Sequence, residues 1–292
     1  MGGSHLDQAA AVVNEHAFRL PPPGLRDLVS GYIGFRQAGV EPARHRGLPS
    51  PELTLIFTLD DPLVLAAHPD PAQAPGTYDS VAGGLHTAPA IITHDGRQSG
   101  VQLGLSPLGA RMLLGMPAGE LAEIDVAAEE VLGSLATEVR DRLRTATTWP
   151  GRFAILDEVL TARAARGSAQ AGAGASPEVA YAWRKLLRTG GATAVGVLAA
   201  ETGWSERHLR ARFREETGLG PKAAARVIRF GRARRELMRR VAAGEAPGLA
   251  DLAVACGYFD QAHLDREFGL LAGCAPTTWL AEEFRNFQSV AA

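Results

Sequence analysis

The spacing of apolar residues changes character near the middle of the chain. Up to about Val126 the apolar positions come in short runs. Glu52-Leu-Thr-Leu-Ile-Phe-Thr-Leu59 has strand composition and partial alternation, and Ala90-Ile-Ile-Thr93 and Gly100-Val-Gln-Leu-Gly-Leu105 are further short strands. Asp60-Asp61-Pro62 and Asp95-Gly96 supply turn residues between them. Several short strands at this spacing predict a sheet sandwich or small barrel. A helical period then sets in. Ser106-Pro107 reads as an N-cap with proline in the first turn, followed by Leu108, Met112 and Leu113. Residues 127–144 form a second predicted helix through Val131, Leu132, Leu135 and Val139, and a third carries Phe153, Leu156, Val159 and Leu160. The small residues of 167–176 have nothing to bury and read as a linker. Beyond it the pattern is nearly all helical, beginning at Tyr181, Leu186 and Leu187. The expected class is therefore α+β. A β-rich domain with trailing helices spans 1–166, and an all-α domain spans 177–292.

The all-α half contains an internal repeat. Its first copy holds Leu198-Ala199, Gly203, Ser205, Leu209, Phe213, Gly218 and Pro221. The second holds Leu252-Ala253, Gly257, Asp260, Leu264, Phe268, Gly273 and Pro276. The spacings agree except between the first glycine and the polar residue, where the second copy is one residue longer. A whole register seldom recurs by chance. Each position also has a physical role. Gly203 and Gly257 suit a left-handed helix end, and Ser205 and Asp260 suit the next N-cap. Leu209 with Phe213, and Leu264 with Phe268, lie four apart on one helix face. The pattern predicts two helix-turn-helix units, about 193–217 and 248–272, joined by a helix over 221–241. That helix would span about 30 Å, close to the ~34 Å between successive major-groove faces of B-DNA.

Composition agrees with a folded chain: 46% of residues are apolar, 21% are charged, and the mean hydropathy is −0.03. No run of about 18 apolar residues predicts a membrane span, and Met1–Gln8 has no apolar core of a secretory signal. Cys256 and Cys274 cannot form a disulfide framework, so a reduced, cytoplasmic setting is expected. Charge is divided unevenly. Residues 177–292 hold 17 Lys+Arg against 13 Asp+Glu, while 204–240 alone hold 12 against 4. A basic block of this kind suits a polyanionic partner. The exposed side of each second helix would enter a major groove, offering Arg207, Arg210 and Arg212 in the first copy and Gln261, Ala262 and Asp265 in the second. Arginine can bind guanine through two hydrogen bonds and glutamine can bind adenine. His208 and His263 are expected at the caps, packing or touching phosphate.

The stretches Trp204-Ser-Glu-Arg-His-Leu-Arg-Ala-Arg-Phe213 and Gly257-Tyr-Phe-Asp-Gln-Ala-His-Leu-Asp-Arg-Glu-Phe268 resemble the two recognition regions of the AraC/XylS family of bacterial transcription regulators. Gly218-Leu-Gly-Pro221 and Gly273-Cys-Ala-Pro276 follow them in order. The resemblance covers about 181–284. It implies a homeodomain-like, seven-helix domain that binds promoter DNA and works with RNA polymerase. By position it makes Arg207 and Arg210 base readers, and it turns Gln261, Ala262 and Arg266 toward DNA. Ser205, Lys222 and Arg226 complete the expected DNA-contacting set. The first half resembles a domain often placed before this unit, through Pro51-Glu-Leu-Thr-Leu-Ile-Phe57, His94-Asp-Gly-Arg97 and Ser106-Pro-Leu-Gly-Ala-Arg-Met-Leu-Leu-Gly115. In related regulators that domain is a cupin-like barrel that binds a small-molecule effector or forms a homodimer. The remaining alternative is a small-molecule sensor or protein-interaction module with conditional DNA binding. Helix 127–144 is the candidate interaction surface, set against packing on its own domain.

Catalysis has little support in the residues. Gly104-Leu-Ser-Pro-Leu-Gly109 lacks the glycine that a nucleophile elbow needs two residues after serine. His86 and His94 are eight apart with no close ligand pair, so no metal is expected. No phosphate loop or dinucleotide fingerprint is present, and no cofactor is expected. The chain is read as a regulator and not an enzyme.

Overall fold

The computed structural model describes residues 12–169 and 174–288, with side chains through 283. The leading segment 1–11 and residues 170–173 of the expected linker lie outside the described residues. Ten strands come first: β1 Val13–Arg19, β2 Val29–Ala38, β3 Ala43–Gly47, β4 Leu53–Thr58, β5 Leu63–Ala67, β6 Gly76–Tyr78, β7 Ser80–Gly83, β8 Ala90–His94, β9 Gln98–Leu105 and β10 Asp125–Ala127. They form two antiparallel sheets, a six-stranded one in the order β1-β2-β9-β4-β7-β10 and a four-stranded one in the order β3-β8-β5-β6. The apolar run in β4 follows from burial of both of its faces. Leu55 and Phe57 point into the large core, beside Leu103 and Leu105 of β9. Ile56 points the other way, onto Leu63, Leu65 and Ile92 of the smaller sheet.

Helices α1 Ala110–Leu114, α2 Ala128–Leu132, α3 Ser134–Thr145 and α4 Trp149–Ser168 cover the large-core face of the six-stranded sheet. The single helix expected over 127–144 is broken at Gly133, whose φ of 60° and ψ of −143° no helix accommodates. Its second part buries Ala136, Val139 and Leu143 in its own domain's core. Ser106 precedes a short 3-10 turn, Pro107–Gly109, and its hydroxyl makes no capping hydrogen bond. Gly167 and Ser168, assigned to the linker by composition, are the last turn of α4. The space between the sheet and these helices is filled. A cavity of about 20 Å³ remains among Leu55, Leu103, Val139, Leu156 and Arg163, room for about one water.

Seven helices follow: α5 Pro177–Arg188, α6 Val195–Thr202, α7 Glu206–Thr217, α8 Pro221–Ala242, α9 Leu249–Ala255, α10 Gln261–Ala272 and α11 Pro276–Gln288. Among the described residues, no helix is long and apolar enough to cross a membrane. The main buried cluster runs on from the β-helix layers into these helices. Several contacts join the halves, among them two ion pairs and a close backbone approach. Arg111 on α1 pairs with Glu216 on α7 through two hydrogen bonds, of 2.9 and 3.1 Å. Arg46 on β3 pairs with Glu282 on α11 at 2.9 and 3.3 Å. Between them, Gly119 approaches the end of α7 so closely that a Cβ there would lie 2.1 Å from the Glu215 carbonyl oxygen.

The Glu216 side chain is only 5% exposed. A buried carboxylate deprived of its cation is costly, whereas an apolar replacement of both partners is often neutral. Arg111→Ala should therefore lower stability by about 2 kcal/mol in urea unfolding, less than for a fully stranded charge because Arg212 still stands 3.8 Å from Glu216. The pair Arg111→Met with Glu216→Leu should recover most of that loss.

Candidate nucleic-acid interface

Both helix-turn-helix units are built by the same local devices. Helix α6 ends at Gly203, with φ of 72°, and α9 gives way to Gly257, with φ of 81°. The Gly203 N–H donates to the Ala200 carbonyl and the Trp204 N–H to the Ala199 carbonyl, 3.3 and 3.0 Å. In the second unit Gly257 donates to Val254 and Tyr258 to Ala253, 3.0 and 2.9 Å. This paired closure satisfies the last helical carbonyls and needs a residue that tolerates positive φ. The next helix is capped at once. Ser205 Oγ accepts from the His208 N–H at 3.2 Å, and Asp260 Oδ1 accepts from the His263 N–H at 2.7 Å. The two histidine rings stand edge-on against Trp204 and Tyr258, with centroids 4.5 and 5.2 Å apart. Ser205, His208 and His263 thus serve the turns themselves.

Beneath the turns, Leu209, Phe213, Leu264 and Phe268 are fully buried, as the repeat predicts. Phe213 packs on Trp183 of α5, and Phe268 packs on Phe230 of α8 and Trp279 of α11. Burial of this side fixes which residues of α7 and α10 face outward.

On α7 the exposed residues are Glu206, Arg207, His208, Arg210, Ala211, Arg214 and Glu215. Arg210 is paired with Glu206 one turn back. Arg207 and Arg214 carry no ion pair among the described residues. Arg212 does not belong to this face. It lies two positions past Arg210, a rotation of roughly 200°, and its guanidinium meets Glu215 at 2.6 Å and Glu216 at 3.8 Å. Arg214 takes its place, one further turn along the line of Arg207 and Arg210. The sequence reading missed it, although the 3.6-residue period singles it out. On α10 the exposed residues are Gln261, Ala262, Arg266, Gly269 and Leu270, while Asp265 is half-buried.

The joining helix contributes less positive charge than its sequence suggests. Lys222 is exposed. Arg226 is instead tied to Glu267 of α10 at 2.9 and 3.2 Å, clamping the second unit onto α8. Arg232, Arg235 and Arg239 line an open groove of about 470 Å³ with Glu236 and the buried Cys256.

The residues weighed for other chemistry do not converge. His86 Nδ1 meets the Ala88 carbonyl at 2.5 Å, and burial pushes its pKa down. His94 accepts from the Gly96 N–H at 3.2 Å. Among the described residues, no three His, Cys, Asp or Glu side chains gather as a metal site. Burial raises the pKa of both the Cys256 and Cys274 thiols.

Removing the Asp260 cap should cost about 1 kcal/mol. Asp260→Ala should lower the thermal midpoint accordingly, whereas Asp260→Asn should stay close to the parent in the same melt.

Comparison with known proteins bears on this half of the molecule. A family model described as a helix-turn-helix domain matches residues 198–282, both units and α8 included. No curated protein matches the chain. Among solved structures, ToxT from Vibrio cholerae is similar at 10% identity, covering 86% of this chain and 97% of that one, with a TM-score of 0.48. A form of ToxT bound to unsaturated fatty acid gives 11% identity, 82% and 91% coverage and a TM-score of 0.45. The AraC-like transcriptional activator CuxR gives 14% identity, 79% and 88% coverage and a TM-score of 0.31. The matched segment, with its two capped turns joined by one shared helix, is similar to a helix-turn-helix domain over residues 198–282 of this chain.

Proposed function

We propose that this protein is a sequence-specific DNA-binding transcription regulator that reads two adjacent major grooves. The observation that carries this reading is the pair of outward helix faces, α7 and α10. Each starts from the same glycine-closed, capped turn, and both units are mounted on α8. A helix held this way presents its first turns to a groove. Arg207, Arg210 and Arg214 give the first face a geometry suited to guanine or phosphate. On the second face Gln261 suits adenine and Arg266 suits guanine or phosphate. Lys222 adds a backbone contact, and phosphate neutralisation supplies much of the affinity.

The N-terminal half is proposed to act on DNA binding through the contacts to α7 and α11. Because it holds α7 of the first unit and α11, the helix that packs on the second through Trp279 and Phe268, a change in it alters the separation of the units. Its nearly filled core supports a mechanical part in regulation better than a preformed effector chamber.

The direct test is capture of sheared genomic DNA from the source organism on the purified full chain, followed by sequencing. An Arg207→Ala/Gln261→Ala variant runs beside it. Enrichment of a few promoter segments that the variant loses is the expected outcome. Equal, unselective recovery by both proteins would contradict groove readout.

On an enriched duplex, Arg207→Ala should cost about 1–3 kcal/mol and relax the preference at one base pair. Lys222→Ala should weaken all sequences alike and reduce the salt slope by about one unit. Arg226→Ala should behave differently, lowering the thermal midpoint through its lost tie to Glu267 while leaving the salt slope unchanged. Titrations at several salt concentrations distinguish the three.

A further inference from the structure

The two turns differ by one residue. In the first unit Gly203 is followed by Trp204 and the cap Ser205, and in the second Gly257 is followed by Tyr258, Phe259 and the cap Asp260. Trp204 and Tyr258 do the same work, since each N–H closes the preceding helix and each ring packs on the histidine three residues past the cap. Ser205 and Asp260 also do the same work. Phe259 is therefore the added residue, and nothing in the construction of the turn requires it. Its side chain is 88% exposed, the most of any large apolar residue among those described. Its backbone is nonetheless held, because the Phe259 N–H donates to His263 Nδ1 at 3.3 Å. The ring therefore stands on a fixed stem immediately before the outward face of α10.

That face is chemically unlike its counterpart. Counting from the two caps, Arg207 corresponds to Ala262, Arg210 to Asp265 and Arg214 to Gly269. At these three positions the second face carries no cation, Arg266 being its exposed arginine, and Asp265 repels phosphate. Phe259 and Ala262 offer apolar surface in their place, three residues apart across the helix start. In the major groove the group that answers an apolar side chain is the C5 methyl of thymine. We infer that Phe259, with Ala262 beside it, reads a thymine methyl in the second half-site, an apolar contact added to those of Gln261 and Arg266. This rests on the DNA-binding reading above.

The test starts from the duplex that the full chain enriches most strongly from a random pool. Each thymine of that duplex is replaced in turn by deoxyuridine, which differs only by the missing methyl. Wild-type protein and Phe259→Ala are titrated with the whole set. At one thymine of the second half-site the replacement should weaken the wild type about fourfold, the worth of one buried methyl group. The same replacement should change Phe259→Ala binding by less than about 1.5-fold, at an unaltered melting temperature. Losses of equal size in both proteins, or no deoxyuridine-sensitive position, would overturn the assignment while leaving DNA binding intact. A Phe259→Ala variant that changes the sedimentation coefficient of the free protein and not its methyl dependence would show that the ring meets another protein copy. Failure to enrich any duplex would overturn the DNA-binding reading, and this assignment with it.

Discussion

Helix α8 contributes to both helix-turn-helix units, and their relation in space depends on it. Its 22 residues span about 33 Å. One side buries Val227, Ile228, Phe230 and Leu237, and Phe230 meets Phe268 of the second unit edge-on at 4.9 Å. Arg226 holds the same unit by its ion pair with Glu267. The arginines that crowd this helix therefore divide into structural and free ones. Arg226 and Arg240 serve the fold, the latter through Glu236 and the carbonyls of Pro247 and Gly248. A count of basic residues overstates the charge available to a partner, because geometry decides which cations remain unpaired.

The helix-turn-helix repeat was legible in the sequence because its determinants are local. A glycine at a left-handed helix end, a cap after it, and two apolar residues four apart act within one turn of each other. The structure places Gly203, Ser205, Leu209 and Phe213, and their second-copy counterparts, in those roles. Phase is less legible. Arg212 sits among the arginines of the expected outward set, but its angular position sets it against Glu216, and the same period brings Arg214 into line with Arg207 and Arg210. The β-half was only partly legible. Strands β4, β8 and β9 stood out as apolar runs, but β1 and β3 carry His, Arg and Glu and owe their conformation to pairing with distant partners. Helix 127–144 looked continuous because one glycine in an apolar period seldom decides. Here the backbone of Gly133 does decide it. The contacts between the halves left no local trace at all, since Arg111 and Glu216 are 105 residues apart.

The two units share a construction and differ in chemistry. Repetition preserved what the fold needs, namely the closure, the cap and the buried pair. The outward residues differ, with arginine in the first unit where alanine, aspartate and glycine stand in the second. Structural economy and recognition thus occupy separate sides of the same short helix. One side can change its partner without disturbing the other.

The pairing of Arg46 with Glu282 has a consequence for how the molecule is made. Their 236-residue separation means that, at ribosomal speeds of roughly 5–20 residues per second, the strand bearing the cation waits on the order of tens of seconds for its carboxylate. During that interval the sheets can fold and pack against α1 to α4, because their partners are already synthesised. The surface that later receives α7 and α11 must stay open meanwhile. A nascent chain therefore presents the finished β-half before the helical half is secured to it. Any chaperone or premature self-association that covers Arg46 in that window would block completion of the clamp and leave the two units mounted on α8 but unsupported from behind.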